Sequence, residues 1–385
     1  MSRRFAALTV LVVGLATACG DQPGPDYGDY SIQPIAADYD TAASYHRGVL
    51  TESLRIGERL VIAEQIDPDL SQTRGGGVIV DFEGVDEMLS SAQRDALAPF
   101  DVLAGFGAIA GNDQVHNEAT LKFLSIAILA LPSEEIAGQA AAAMAAADFG
   151  ANIDNAPLPN PEFPAALNHW RPGVPTVGGW LVWKNLVIRI YAKVVEPSPA
   201  VLTDLLTRTY RAQLTALNGF TSTPPERFAT TRMDSDSLLT RVVSTGRTIP
   251  KHEEFAVYGP RAYALLVGRP SVRLALFEKH QISAVALSHN KFLYRTGSPA
   301  AAVTYADELA ASLSADHTAM AGVPGLPAAR CYRALRPNPS EFEAIRFSCL
   351  VVRGEFVVRL LSNRDDDVRQ MAAAQYALLA GTEGA

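Results

Sequence analysis

Ser288 and Lys291 stand three residues apart in Ser288-His289-Asn290-Lys291. A lysine at that spacing activates the serine nucleophile of penicillin-binding enzymes, where the serine opens a helix and a Lys-Thr-Gly strand follows. Here the serine falls between two short apolar runs with a hairpin pattern, and no such strand follows. His252-Glu253-Glu254 is not an HExxH zinc pair, because residue 256 is alanine. Asp234-Ser235-Asp236 begins like a calcium loop but lacks the third oxygen ligand, the glycine and the distal glutamate, so it reads as a solvated cap before Leu238. Asp81, Glu83, Asp86 and Glu87 are numerous enough for an acid–base pair and read as a charged loop beside a strand. Gly75-Gly76-Gly77 lacks both dinucleotide-loop spacing and a following Lys-Ser/Thr, and reads as a flexible turn. The histidines at 46, 116, 169, 252, 280, 289 and 317 show no i, i+4 metal pair, and no Gly-x-Ser-x-Gly elbow occurs. No catalytic residue, metal ligand or cofactor site is assigned.

The three cysteines are more informative. Arg3 and Arg4 precede an apolar run over residues 5–15, and Ala16-Thr17-Ala18 leads into Cys19. The run is too short to cross a bilayer and has the layout of an export signal. A cysteine directly after small residues looks like a bacterial lipobox, in which the sulfur is acylated and the cysteine becomes the new N-terminus. Arg3-Arg4-Phe5 lacks the continuation of a twin-arginine signal. Residues 1–18 are therefore expected to be a lipoprotein signal peptide, with Cys19 the lipidation site and the body outside the cytoplasm, anchored to the cell membrane. In that oxidising compartment Cys331 and Cys349 form an even pair and read as one disulfide, the alternative being two free buried thiols.

Loss of residues 1–18 would leave 367 of 385, more than one ordinary domain. Hydrophobic residues at 48% and charged residues at 19% describe a chain with an ample core. The formal charge of −8 becomes −10 once Arg3 and Arg4 are gone, which disfavours nucleic acid as a partner. Only six of the 33 basic residues are lysines, and no polybasic run exists, so attachment to a membrane would rest on acyl chains.

The elements that must position any site follow from periodicity and punctuation. Residues 19–38 hold prolines 23, 25 and 34 without periodicity and read as an extended tether. A helix capped by Asp40 or Thr41 follows, then strands over 60–63 and 78–80 and a helical pattern over 86–97. Residues 122–131 form a buried strand closed by Pro132. Ser133 caps a helix to about 147, and residues 151–175 are a long loop. Strands over 180–183 and 186–195 flank Lys184-Asn185, and Ser198-Pro199 opens a helix. The second half runs through a strand over 262–267, a helix over 270–280, and paired strands over 283–287 and 291–295. Ser298-Pro299 then opens a helix to about 313. Strands over 331–335, 345–351 and 356–361 precede a last helix begun by Asp365-Asp366-Asp367.

The two halves share this order of elements. Lys122-Phe123-Leu124 matches Lys291-Phe292-Leu293, and Ala212-Gln213 matches Ala374-Gln375 in the final helices. The expected fold is α+β: after the signal and tether, two similar domains over 39–221 and 222–385, each an antiparallel sheet covered by helices on one side. The lipobox, the tether, Gly259-Pro260-Arg261-Ala262 and the ending Ala372-Ala373-Ala374-Gln375-Tyr376-Ala377-Leu378-Leu379 resemble uncharacterised secreted lipoproteins of actinobacteria. That resemblance implies two related α+β domains of unknown function and assigns no catalytic residue.

The expected function is non-catalytic binding of an envelope ligand or protein partner. A cell-envelope hydrolase with an unrecognised site and a purely structural lipoprotein are the alternatives. The interface between the two units, joined through residues 219–226, is the expected place for a cleft. Trp170, Trp180 and Trp183, the only tryptophans, lie close enough to line one or to pack the core.

Overall fold

The computed structural model describes residues 24–113, 117–244, 254–336 and 345–382, and of Phe82 and Glu83 only the backbone. The first repeat opens with helices α1 (Asp38–Thr41) and α2 (Tyr45–Gly57). Ser44, not Asp40 or Thr41, caps α2 by accepting from the Arg47 N–H. Asp40 is occupied elsewhere: its buried carboxylate accepts from the backbone N–H groups of Met233 and Asp234 and from Arg232. There follow β1 (Gln72–Ile79), α3 (Phe82–Met88), α4 (Ser91–Leu97), β2 (Ala104–Gly111), β3 (Phe123–Ala130), α5 (Glu134–Gly150), β4 (Ala156–Pro157), β5 (Leu167–Trp170), β6 (Thr176–Trp183), β7 (Leu186–Lys193) and α6 (Pro199–Ala216).

The second repeat has the same order of elements. It runs β8 (Phe255–Tyr258), α7 (Pro260–Leu265), α8 (Pro270–Lys279), β9 (Ala284–Ser288), β10 (Lys291–Arg295), α9 (Pro299–Leu313), β11 (His317–Ala319), β12 (Ala329–Ala334), β13 (Phe347–Arg353), β14 (Phe356–Ser362) and α10 (Asp365–Thr382). Among the described residues each half builds one antiparallel seven-stranded sheet. The first has the order β1-β2-β3-β7-β6-β5-β4; the second, read from its opposite edge, is β8-β9-β10-β14-β13-β12-β11. The topology is identical position by position, so the expected tandem α+β architecture holds.

Helices cover more of the sheets than one side. Leu124, Ile126, Ile188 and Ile190 turn to the α2 and α6 face of the first sheet, while Ala127, Leu129 and Val187 turn to α5. Full burial of each branched side chain stabilises by about 2 kcal/mol. In the second sheet, Val351, Val358 and Leu360 pack on α10, and Leu350, Val357 and Tyr294 face α9.

Shared local devices fix both halves. Ser198 and Ser298 cap α6 and α9, each with proline in the first turn. Gln213 is fully buried in α6; its Oε1 accepts from the Val61 N–H at 3.1 Å and its amide donates to the Arg59 carbonyl at 2.8 Å. Gln375 does the same in α10, with the Val243 N–H at 2.9 Å and the Arg241 carbonyl at 2.7 Å. The Ala-Gln match is therefore structural. The Lys-Phe-Leu match is not in register: Phe123 pairs with Lys193, seven residues after the start of β7, and Phe292 with Arg359, three after the start of β14.

Several local expectations change. Residues 60–63 are not a strand, because the Val61 N–H goes to Gln213 and not to a sheet neighbour. The glycine run lies inside β1. Gly76 has φ +128°, and a Cβ there would sit 2.3 Å from the Gly107 carbonyl oxygen, so glycine lets β1 pass β2 at a bulge. Strand β2, rich in glycine and alanine, carries too weak a propensity to be read. Residues 262–267 fall mostly in helix α7, started by Pro260; a short buried apolar run has no telling period. The loop over 151–175 contains β4 and β5.

Residues 24–38, read as a tether, lie against the second repeat. Tyr30 donates to Asp367 at 2.8 Å, Gln370 donates to Asp26 at 2.7 Å, and Tyr27 joins the α10 core. Cys331 and Cys349 are direct cross-strand partners on β12 and β13 and are joined as a disulfide, with Cα atoms 4.1 Å apart.

Candidate functional site

The first repeat contains a cleft of about 670 Å³ between its sheet and the α4–α5 layer. Strand alternation creates its floor. Ala127 pairs with Arg189 and Ser125 with Tyr191, so Ser125, Arg189 and Tyr191 share the face opposite the apolar core. Phe123, Ile109, Met88, Trp170 and Val177 supply apolar walls. Ser90 caps α4 and thereby places Gln93 one turn in; Asp148 projects from the last turn of α5.

These side chains form a chain of bonds. The Gln93 amide donates to Asp148 Oδ1 at 2.7 Å, and its oxygen accepts from Arg189 Nε at 3.1 Å. His169 Nε2 lies 3.0 Å from Asp148 Oδ2, and its ring stacks on Trp180 at 5.4 Å. One Arg189 Nη donates to Ser125 Oγ at 3.4 Å. Burial alone would raise the Asp148 carboxyl, but bonds from His169 and Gln93, with Arg189 nearby, hold it below the ordinary carboxylate value. Burial brings the Arg189 guanidinium down to about 10.

The two serines of the cleft are not arranged as a triad nucleophile. A serine triad needs a hydroxyl on the imidazole. Here Ser90 Oγ donates to Asp148 and Ser125 Oγ accepts from Arg189, so neither serine is bonded to His169. Among the described residues no group of three or more histidine, cysteine, aspartate or glutamate side chains could hold a metal.

The remaining sequence candidates scatter. Cys19, His116, His252 and Glu253 lie outside the described residues, as does the side chain of Glu83. Ser288 and Lys291 are cross-strand partners in the β9–β10 hairpin, both buried. Asp234 is a cap, but a buried and not a solvated one, because its carboxylate accepts from the Leu238 and Leu239 N–H groups and from the Tyr39 hydroxyl. Asp81 caps α3, Asp86 pairs with Arg94, and Glu87 reaches the rim of the cleft. Of the tryptophans, Trp170 lines the cleft, Trp180 is core, and Trp183 carries Lys184 over its ring at 4.2 Å. The groove between the two repeats, about 690 Å³, is lined by Arg59, Arg208, Arg211 and Arg261, but Arg208 and Arg211 are neutralised by Asp204 and Glu162. Sequence reasoning passed over Gln93, Asp148 and Arg189. Only Arg189 left a signal, as a charge at an inward position of the apolar run Leu186-Val187-Ile188-Arg189-Ile190.

A family model described as the N-terminal part of a domain of unknown function, DUF7373, matches residues 39–233, and its C-terminal counterpart matches residues 238–382. The chain belongs to the DUF7373 family. The cleft lies wholly within the N-terminal DUF7373 match, and the disulfide within the C-terminal one. Among solved structures the extracellular domain of PknH from Mycobacterium tuberculosis is similar at 12% identity, covering 48% of this chain and 100% of that one, with a TM-score of 0.28. A similarity that low has no bearing on this DUF7373 chain's fold or function. No curated protein matches it.

Proposed function

We propose that this protein is a lipid-anchored envelope protein that binds a ligand in the cleft of its first repeat and does not turn it over. The cleft supports the binding reading: it has apolar walls, a few converging polar groups, and a volume in the range of small-molecule sites. The His169-Asp148-Gln93-Arg189 chain holds those polar groups in place, and the two nearby serines are committed to other partners.

Anchoring through Cys19 is supported by the motif around it and fits the docked segment after it. Only six peptide steps separate Cys19 from Pro25, which packs near Gly325 of the second repeat. Fully extended, they reach about 20 Å. An acylated Cys19 would thus hold the second repeat against the membrane. Among the described residues no helix is long and apolar enough to cross one.

The anchoring is tested by detergent-phase partitioning from an acylation-competent host: wild type should enter the detergent phase and Cys19→Ser should stay in the aqueous phase. The binding is tested by mass spectrometry of small molecules released from native-source protein. A single component that raises the thermal midpoint when added back is expected. Turnover of an ester, peptide or glycan that is lost on substitution of His169 or Asp148 would overturn the non-catalytic reading.

A further inference from the structure

Arg189 is a buried charge whose protein partners are neutral. It is 5% exposed on the floor of the cleft and bonds to the amide oxygen of Gln93 and the hydroxyl of Ser125. Among the described residues it forms no ion pair. The nearest acid, Asp148, is taken up by His169 and by the other end of Gln93. A buried cation without a contacting anion is costly, and the Asp148 charge acts on Arg189 only through space. The guanidinium lies over the Tyr191 ring, 5.4 Å from its centroid. Gln93 therefore relays Arg189 to Asp148 without cancelling its charge. The cleft wall adds Arg74 and Arg171 against Glu87 and Asp148, so three guanidiniums face two carboxylates. Phe123, Ile109, Met88 and Trp170 give the same cleft an apolar lining beside these groups.

We propose that the cleft takes an amphiphilic carboxylic acid, its carboxylate on Arg189 and its hydrocarbon body along Phe123, Ile109 and Trp170. A guanidinium presents paired donors that match a carboxylate in a fork, and this pairing gains strength in a low-dielectric site. The ligand supplies a contacting anion at Arg189, where Asp148 acts only through space. This inference rests on the cleft being a binding site, as proposed above, and adds the chemical class of its ligand.

The full mature chain is titrated with the neutral dye N-phenyl-1-naphthylamine, which is then displaced by dodecanoate or by 1-dodecanol, each below its aggregation limit. The expected result is displacement by both, with dodecanoate effective at a concentration at least tenfold lower. Arg189→Gln should abolish that preference, and Arg359→Gln, at the matching place in the second repeat, should leave it intact. Trp170→Ala should weaken both ligands together. Equal potency of acid and alcohol on the wild-type protein would overturn the anion inference while leaving the cleft as a binding site. That comparison needs no variant, so it decides even if Arg189→Gln fails to fold. Absence of any dye binding would overturn the cleft reading itself.

Discussion

The two repeats share a topology and differ most at the sheet face beneath α5 and α9. In the first, the sheet face beneath α5 carries Arg189, with Gln93, Asp148 and His169 above it, and a cleft opens there. In the second, Arg359 occupies the same position, three residues past the start of β14, and donates to Ser348 at 3.4 Å beside a cluster of rings. Tyr294 of β10 and Tyr305 of α9 meet edge to face at 5.2 Å, and Tyr263 and Phe277 close the cluster. The packing of the repeats explains the difference. Helix α7 docks on the first repeat, with the Ala262 N–H donating to Glu58 at 2.7 Å and the Leu265 carbonyl accepting from Thr73 at 2.8 Å. The second repeat spends this face on the interface and fills it with rings; the first leaves it open. Conserved fold and divergent use thus reside in different residues: caps and glutamine clamps on one hand, the α5 or α9 face on the other.

The clamps provide the hardest test of equivalence. Gln213→Ala and Gln375→Ala would each strand a buried N–H and a buried carbonyl, and each is expected to destabilise by about 3 kcal/mol. Urea unfolding should report losses of similar size for the two. A large loss for one and none for the other would show that only one clamp carries its repeat.

The disulfide belongs to the second repeat alone. It closes 18 residue steps, worth about 3 kcal/mol on the chain-entropy account. The Cys331→Ala, Cys349→Ala double variant should lose that amount in the C-terminal unfolding step. Two alkylatable thiols in the unreduced wild-type protein would show that the bridge is not formed.

Much of this architecture is legible in the chain. Ser-Pro starts, the Lys184-Asn185 hairpin and the alternation of residues 345–351 all announce themselves through local chemistry. The failures share a cause. Strand β2 is built of glycine and alanine, whose fit comes from close neighbours: a Cβ on Gly107 would lie 2.5 Å from Met88. Helix α7 is a buried apolar run with no exposed face to set a period. The site was harder still, because Gln93, Asp148, His169 and Arg189 come from four elements and meet only when the sheet is assembled.

Lys291 sharpens the comparison from the other side, as a buried ammonium that the first repeat lacks at the corresponding place. It is fully buried and donates to Asn290 at 2.9 Å; burial pushes it down to about 8, against the pull of Asp367. The fall from 10.5 to about 8 corresponds to about 3 kcal/mol, and loss of the Asn290 bond would return about 1. Lys291→Met should therefore stabilise by about 2 kcal/mol at pH 7. Because the folded state releases this proton first, wild-type stability should rise between pH 8 and about 10.5, and the variant's advantage should shrink across that window. An unchanged advantage at pH 10 would mean that the lysine releases its proton no earlier in the folded protein than in the unfolded chain.

The smallest expected effect lies at Asp148, fifteen residues past the serine that caps α5. The matching position in α9, fifteen past Ser298, is Leu313, a buried apolar residue with nothing to titrate. Asp148 is held below the ordinary carboxylate value by donors from His169 and Gln93. Its folded state therefore binds a proton less readily than the unfolded chain. The resulting stability is present above the unfolded value, about 3.9, and is lost as the pH falls through the lower folded value. Asp148→Asn should cost about 1 kcal/mol at pH 7, because a charge-assisted bond becomes a neutral one. The cost should vanish at the acid end, where the wild-type carboxyl is itself protonated. Urea titrations at pH 7 and pH 2.5 read the difference directly. A variant as acid-sensitive as the wild type would mean that Asp148 is no more strongly held than an exposed carboxylate, and that the polar chain beneath α5 is not what separates the first repeat from the second.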